Sequence, residues 1–277
     1  MRILAAGAVA LVLAGGSVGS TGPLPSATAF LTSVQRADGG FAEAGGPEDP
    51  SLTAWAALAL VAGGAPVDDR ARALAYLRSH EADVRQVTDD ALVSLARSAL
   101  GDRPVELLAR LRAVAPGAEV NAEIWTIIAL RAASEPAPGG LVRDLLSQAR
   151  GGGWSWVRGG QPDSNDTAAA IEALRAAGVT GEPIARGVAA LRRFQNRDGG
   201  YGLSRGRASD AQSTAWAIQA LLAAGAEPQR STWRFLSRLR RPDGSYRYSA
   251  AYATTPVWVT AQVTPALAGR WFPLQGS

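Results

Sequence analysis

Residues 35–41 read QRADGGF, 195–201 read QNRDGGY, and 240–246 read RRPDGSY. A second echo lies downstream of each: SLTAWAALAL at 51–60, QSTAWAIQAL at 212–221 and TPVWVTAQV at 255–263. Two linked signatures that return together mark a chain of structural repeats, and that decides the architecture. Working outward from these stretches, the segments between Gly- and Pro-rich breaks carry apolar residues at i, i+3, i+4 spacing, as Ile218, Leu221 and Leu222 show. The breaks AGGAP at 62–66, AAGVTGEP at 176–183 and AAGAEP at 223–228 stop one helix and release the next. No run alternates long enough to argue a strand.

Six helix pairs result, repeating at about 40 residues, the length of a helical hairpin. First helices are expected to begin near Ala27, Ala71, Val105, Leu141, Ile184 and Thr232. Second helices are expected near 51–62, 88–100, 121–133, 165–177, 212–224 and 255–268. Each pair leaves an apolar stripe that only a neighbouring pair can bury. Spacing alone leaves an open row and a closed ring as alternatives.

Composition narrows the chemistry. The chain has 277 residues, 47% of them apolar, enough for one sizeable core. All 28 basic residues are Arg, set against 24 acidic ones for a net charge of +4. They are scattered, which describes a solvated surface and not a nucleic-acid arm. Without Lys there is no Schiff-base nucleophile. Without Cys, and with His80 as the one histidine, there is no disulfide frame, thiolate or ordinary zinc site; no cofactor is expected.

Residues 1–20, MRILAAGAVALVLAGGSVGS, read as a signal peptide: Arg2, an apolar stretch too short for a bilayer, then small residues. The expectation is a secreted or cell-envelope protein, with envelope association open. Residues 21–26 read as a linker, and 27–277 as a single repeat domain.

Phe30-Leu31-x3-Gln35-x3-Gly39-x-Phe41 resembles the QW motif of squalene–hopene and related terpene cyclases. So do Arg186-Gly187-x3-Leu191-x3-Gln195-x3-Gly199-x-Tyr201 and Phe235-Leu236-x3-Arg240-x3-Gly244-x-Tyr246. Gly152-Gly153-Trp154 keeps the tail of the motif and its Trp. The resemblance covers roughly residues 27–272 and implies an all-α fold, an (α/α)6 toroid of six helical hairpin repeats around a central cavity. Protein prenyltransferase β subunits and cobalamin carriers are similar. On physical grounds the motif residues are structural. Gly39 and Gly199 permit a tight turn, and the Gln amide can bond a neighbouring helix end.

Pro162-Asp163-Ser164-Asn165-Asp166-Thr167-Ala168 resembles the DxDDTA motif of class II terpene cyclases, whose middle Asp protonates an alkene or epoxide. Here Asn165 holds that place, and an amide is no acid. Asp163 or Asp166 would have to serve, two close carboxyls sharing one proton. The same residues also suit a helix N-cap, as do Ser51, Thr53, Asn121, Glu123, Ser213, Thr214, Thr254 and Thr255 at the other second helices. Trp55, Trp125, Trp216 and Trp258 recur in the second helices, as core or as cavity lining. Trp154, Trp156 and Arg158, in the loop GGGWSWVRGG, are candidate rim contacts. Candidate catalytic residues are thus Asp163 and Asp166. Candidate ligand contacts are Trp154, Trp156, Arg158, Asn165, Thr167 and Trp216.

Three functions fit. The first is an exported, non-catalytic toroid binding an apolar, polycyclic, terpenoid or corrinoid-type ligand, or a protein partner. The second is a class II cyclase-like enzyme, or a glycan-active toroid using two carboxylates. The third is a scaffold with a filled centre.

Overall fold

The computed structural model describes residues 22–274, all helix and loop, with no strand among them. The expected signal peptide lies outside the described residues. Twelve helices follow in order: α1 Pro23–Val34, α2 Pro50–Ala62, α3 Val67–Ser79, α4 Val87–Ala99, α5 Val105–Arg112, α6 Val120–Ala132, α7 Gly139–Ser147, α8 Ser164–Ala176, α9 Glu182–Leu191, α10 Ala211–Ala223, α11 Arg230–Arg238 and α12 Pro256–Leu267.

The second helices start within one residue of expectation, but several outer helices start earlier. The expected linker 21–26 is helical from Pro23, because proline's fixed φ suits a first helical turn and its missing N–H has no partner to lose there. α3 begins four residues before Ala71, with Asp68 and Asp69 favourably placed in its first turn.

The even-numbered helices form the inner ring. Each packs on the next, and α12 packs on α2, so the ring closes. Helices enclosed on every side are buried all round, as α6 is from Val120 through Leu130. The outer helices bury one stripe only: α11 buries Thr232, Phe235 and Leu236 and exposes Arg230, Arg234 and Arg238.

The repeated loop is a joint between units. Gly39, Gly152, Gly199 and Gly244 all have φ near +90°. A Cβ there would meet the carbonyl oxygen of Arg72, Arg186, Ser231 or Ser26 on the following outer helix at 2.1, 2.5, 2.5 and 2.3 Å respectively. The last of these seats unit six on α1, which closes the outer ring. Two residues further on, Phe41, Trp154, Tyr201 and Tyr246 are buried. Each donates its backbone N–H to a threonine of its own inner helix: Thr53 at 2.9 Å, Thr167 at 3.0 Å, Thr214 at 2.9 Å and Thr260 at 2.9 Å. Gln35 Nε2 donates to the Asp69 carbonyl of α3 at 2.9 Å, the expected bond to a neighbouring helix end. Gln195 instead donates to the Thr232 hydroxyl of α11 at 2.9 Å.

The chain's last described turn crosses the far end of the ring. Phe272 and Leu274 are buried, and the Phe272 N–H donates to Glu172 Oε2 of α8 at 2.6 Å.

Candidate functional site

All six inner helices begin at one end of the toroid, and their first turns surround a cavity of about 520 Å3. N-caps hold these turns in place. Asp49 accepts from Leu52 N at 2.7 Å, Asp210 from Ser213 N at 2.7 Å, and Asp163 Oδ1 from Asn165 N and Asp166 N at 2.9 and 2.8 Å. The caps in units one and five are thus aspartates just before the residues expected, which leaves Thr53 and Thr214 for the loop joints. Unit six has no side-chain cap of its own at Thr255. Glu43, from the loop of unit one, accepts from Trp258 N at 2.8 Å across the closure of the ring.

The loops lie over these helix starts. The Trp156 carbonyl accepts from Asn121 N at 3.1 Å, and the Leu203 carbonyl from Ser164 N at 2.9 Å. Trp156, 51% exposed, and Leu203 therefore stand at the rim and line the cavity.

The floor is aromatic. Trp55, Trp125 and Trp216 meet pairwise with ring centroids 5.5, 5.8 and 5.6 Å apart. Phe272 touches Trp55 and Trp125 at 6.0 and 6.4 Å, backing this triangle from the closed end. Trp258 also lines the cavity but is one helical turn out of phase with the others. It precedes Thr260 by two residues, whereas Trp55 and Trp216 follow Thr53 and Thr214 by two; Gln262 takes that place in α12.

On one wall sit the carboxyls. Asp163, Asn165 and Asp166 all line the cavity. Asp166 Oδ1 accepts from Asn121 Nδ2 at 2.7 Å. Burial, the larger cause, and the neighbouring Asp163 charge push the Asp166 carboxyl well above its ordinary range; burial also raises Asp163. Two backbone N–H groups hold Asp163 as the better acceptor. Of the two, Asp166 therefore holds a proton more firmly than an ordinary aspartate does.

The structure brings Asp163, Asn165, Asp166, Trp156 and Trp216 together around one space. It does not bring Trp154, Thr167 or Arg158 there. Trp154 is buried between α7 and α8, its indole N–H on the Leu145 carbonyl at 2.7 Å. Thr167 is consumed by the loop joint. Arg158 turns away to Glu123, at 2.7 Å, and to Asp144, carboxylates that pair with its guanidinium. Sequence reasoning missed Asn121, read as a cap, and Gln262. The signal for Gln262 was there: a polar residue where two sister repeats carry Trp.

No family model and no curated protein sequence matches the chain. Solved structures do. A protein from Actinoplanes superposes with TM-score 0.68 at 21% identity, over 89% of this chain and 98% of that one. The type II terpene cyclase MstE from Scytonema, in its apo form, superposes with TM-score 0.65 at 18% identity, over 89% and 96%. The fold is that of the terpene-cyclase-like α/α toroids. An inactive variant of an α-1,6-mannanase of Salegentibacter, in complex with α-1,6-mannotriose, shares the toroid at TM-score 0.64 and 9% identity, over 89% and 98%. At these identities the likeness speaks for the toroid alone. Among the described residues no cluster of three or more His, Asp or Glu can hold a metal, and no helix is long and apolar enough to cross a membrane.

Proposed function

We propose that this toroid is an exported, non-catalytic binder of an apolar polycyclic small molecule, held in the central cavity. The observation that carries the reading is the floor of Trp55, Trp125 and Trp216 beneath a collar of polar helix starts. Rings laid on that floor gain about 25 cal/mol for each Å2 of apolar surface removed from water. A cavity of about 520 Å3 suits a ligand of drug size and favours a terpenoid over a corrinoid. The cyclase neighbours support an apolar partner, MstE variants having been crystallised with geranylgeranyl dihydroxybenzoate and with merosterolic acid A. Export rests on the leader-like residues 1–20.

The acid pair favours a second reading, a class II cyclase-like enzyme. Against it stands the proton's affinity for Asp166. A carboxyl raised by burial is neutral at pH 7 and donates hydrogen bonds well, but it is a reluctant proton donor to an alkene. Asn165 occupies the place of the family's acid. The pair serves better as a polar anchor at the ligand's mouth end.

Incubation with squalene and with geranylgeranyl diphosphate separates the two. The binder reading predicts full recovery of both compounds unchanged, and a saturable change in Trp fluorescence with a polycyclic terpenoid. A cyclised product made by the wild type and lost in Asp166→Asn would replace it with the enzyme.

A further inference from the structure

Gln262 is an anomaly in the cavity. It lines the space, is 1% exposed, and neither its amide nitrogen nor its amide oxygen has a hydrogen-bond partner. On α10, the helix next to α12 in the ring, the Trp216 indole N–H is buried without a partner as well. Buried polar groups are nearly always paired, and each one left unpaired costs stability. The sister repeats show that an apolar residue fits this position, since Trp55 and Trp216 occupy it in units one and five. No protein group compensates a glutamine there. Its long, unbranched side chain needs only a torsional change to present the amide to whatever lies on the Trp floor.

Resting on the binding reading above, we infer that Gln262 and the Trp216 N–H recognise an oxygen on the ligand. The compound carried is then an oxygenated polycycle, an alcohol or ketone, and not a pure hydrocarbon. The oxygen, with two lone pairs, accepts from both Trp216 Nε1 and Gln262 Nε2. If it is a hydroxyl, its hydrogen is donated to Gln262 Oε1, so the donors and the acceptor of this wall are satisfied together. The polar contact lies on α10 and α12, apart from the Asp163–Asp166 pair on α8, so the ligand meets polar groups on two walls of one apolar cavity.

A matched pair of tricyclic diterpenes tests this: the hydrocarbon abietatriene and its phenol ferruginol, titrated against Trp fluorescence of the full chain. The wild type is expected to bind ferruginol about 10- to 100-fold more tightly. Gln262→Leu is expected to bring that ratio close to one. It should also raise the melting temperature of the free protein by about 2–8 °C, because the unpaired amide is gone. Trp216→Phe, which removes the indole N–H together with part of the ring, should weaken both compounds, reduce the ratio by a smaller factor, and give the same comparison if Gln262→Leu does not fold. Equal affinities in the wild type, or a ratio that survives both substitutions, would overturn the inference and leave the binding reading standing. Failure of both compounds to bind would overturn the binding reading and this inference with it.

Discussion

Two carboxyls show what single residues contribute. Glu172 faces the interior of the ring, and burial pushes its carboxyl up to about 8 from an ordinary 4.5, with only the Phe272 N–H drawing it back. The folded chain therefore holds a proton that the unfolded chain has released between about pH 4.5 and 8, and stability falls as pH rises through that window. Each pH unit there costs on the order of 1 kcal/mol. Glu172→Gln keeps an acceptor for Phe272 and removes the titration. Its melting temperature at pH 8.5 should exceed that of the wild type, with the difference shrinking toward pH 5; equal pH profiles would mean that Glu172 does not carry the slope. Asp166 was legible as a motif residue, but its partner Asn121 was not. An amide at a helix start reads as a cap, and only the stacking of neighbouring units brings α6 against α8. Trp258 misled in a similar way, because a Trp near a helix start looks in register until Thr260 fixes the phase.

At the scale of elements, the helix–loop–helix unit was nearly all readable. Gly and Pro signals located the ends of the inner helices, and their starts fell within a residue. α1 and α3 began early because Pro and Asp, which read as linker or turn, are also good first-turn residues. What spacing did not reveal is why the DGG-type loop recurs. Its first glycine must pass under the next outer helix, and its aromatic must reach a threonine of its own inner helix. Gly244→Ala should therefore cost about 2 kcal/mol or more, combining a left-handed backbone with a Cβ 2.3 Å from the Ser26 carbonyl. Gly64→Ala is the control, with φ +67° and nothing within 4 Å, and should cost only the backbone share. Equal losses in urea unfolding would show that the loop is not a joint. Thr260→Val, which strands the buried Tyr246 N–H, should cost about 1–3 kcal/mol by the same measurement.

For the whole molecule, closure matters more than any one unit. Repeats alone allowed an open row; α12 on α2, the Ser26 carbonyl over Gly244, and Glu43 capping α12 are contacts that only a ring makes. The ring sets six helix starts around one mouth, and the tail seals the other end with Phe272, a feature with no repeat to announce it. The result is a one-ended apolar cavity floored by tryptophan. Native mass spectrometry of the chain purified without detergent from its own source, followed by organic extraction of the same sample, addresses its purpose most directly. The account predicts one oxygen-bearing apolar molecule per chain, released on denaturation and reduced in Trp125→Ala. Bare protein from the source, still bare after incubation with terpenoid alcohols, would contradict it.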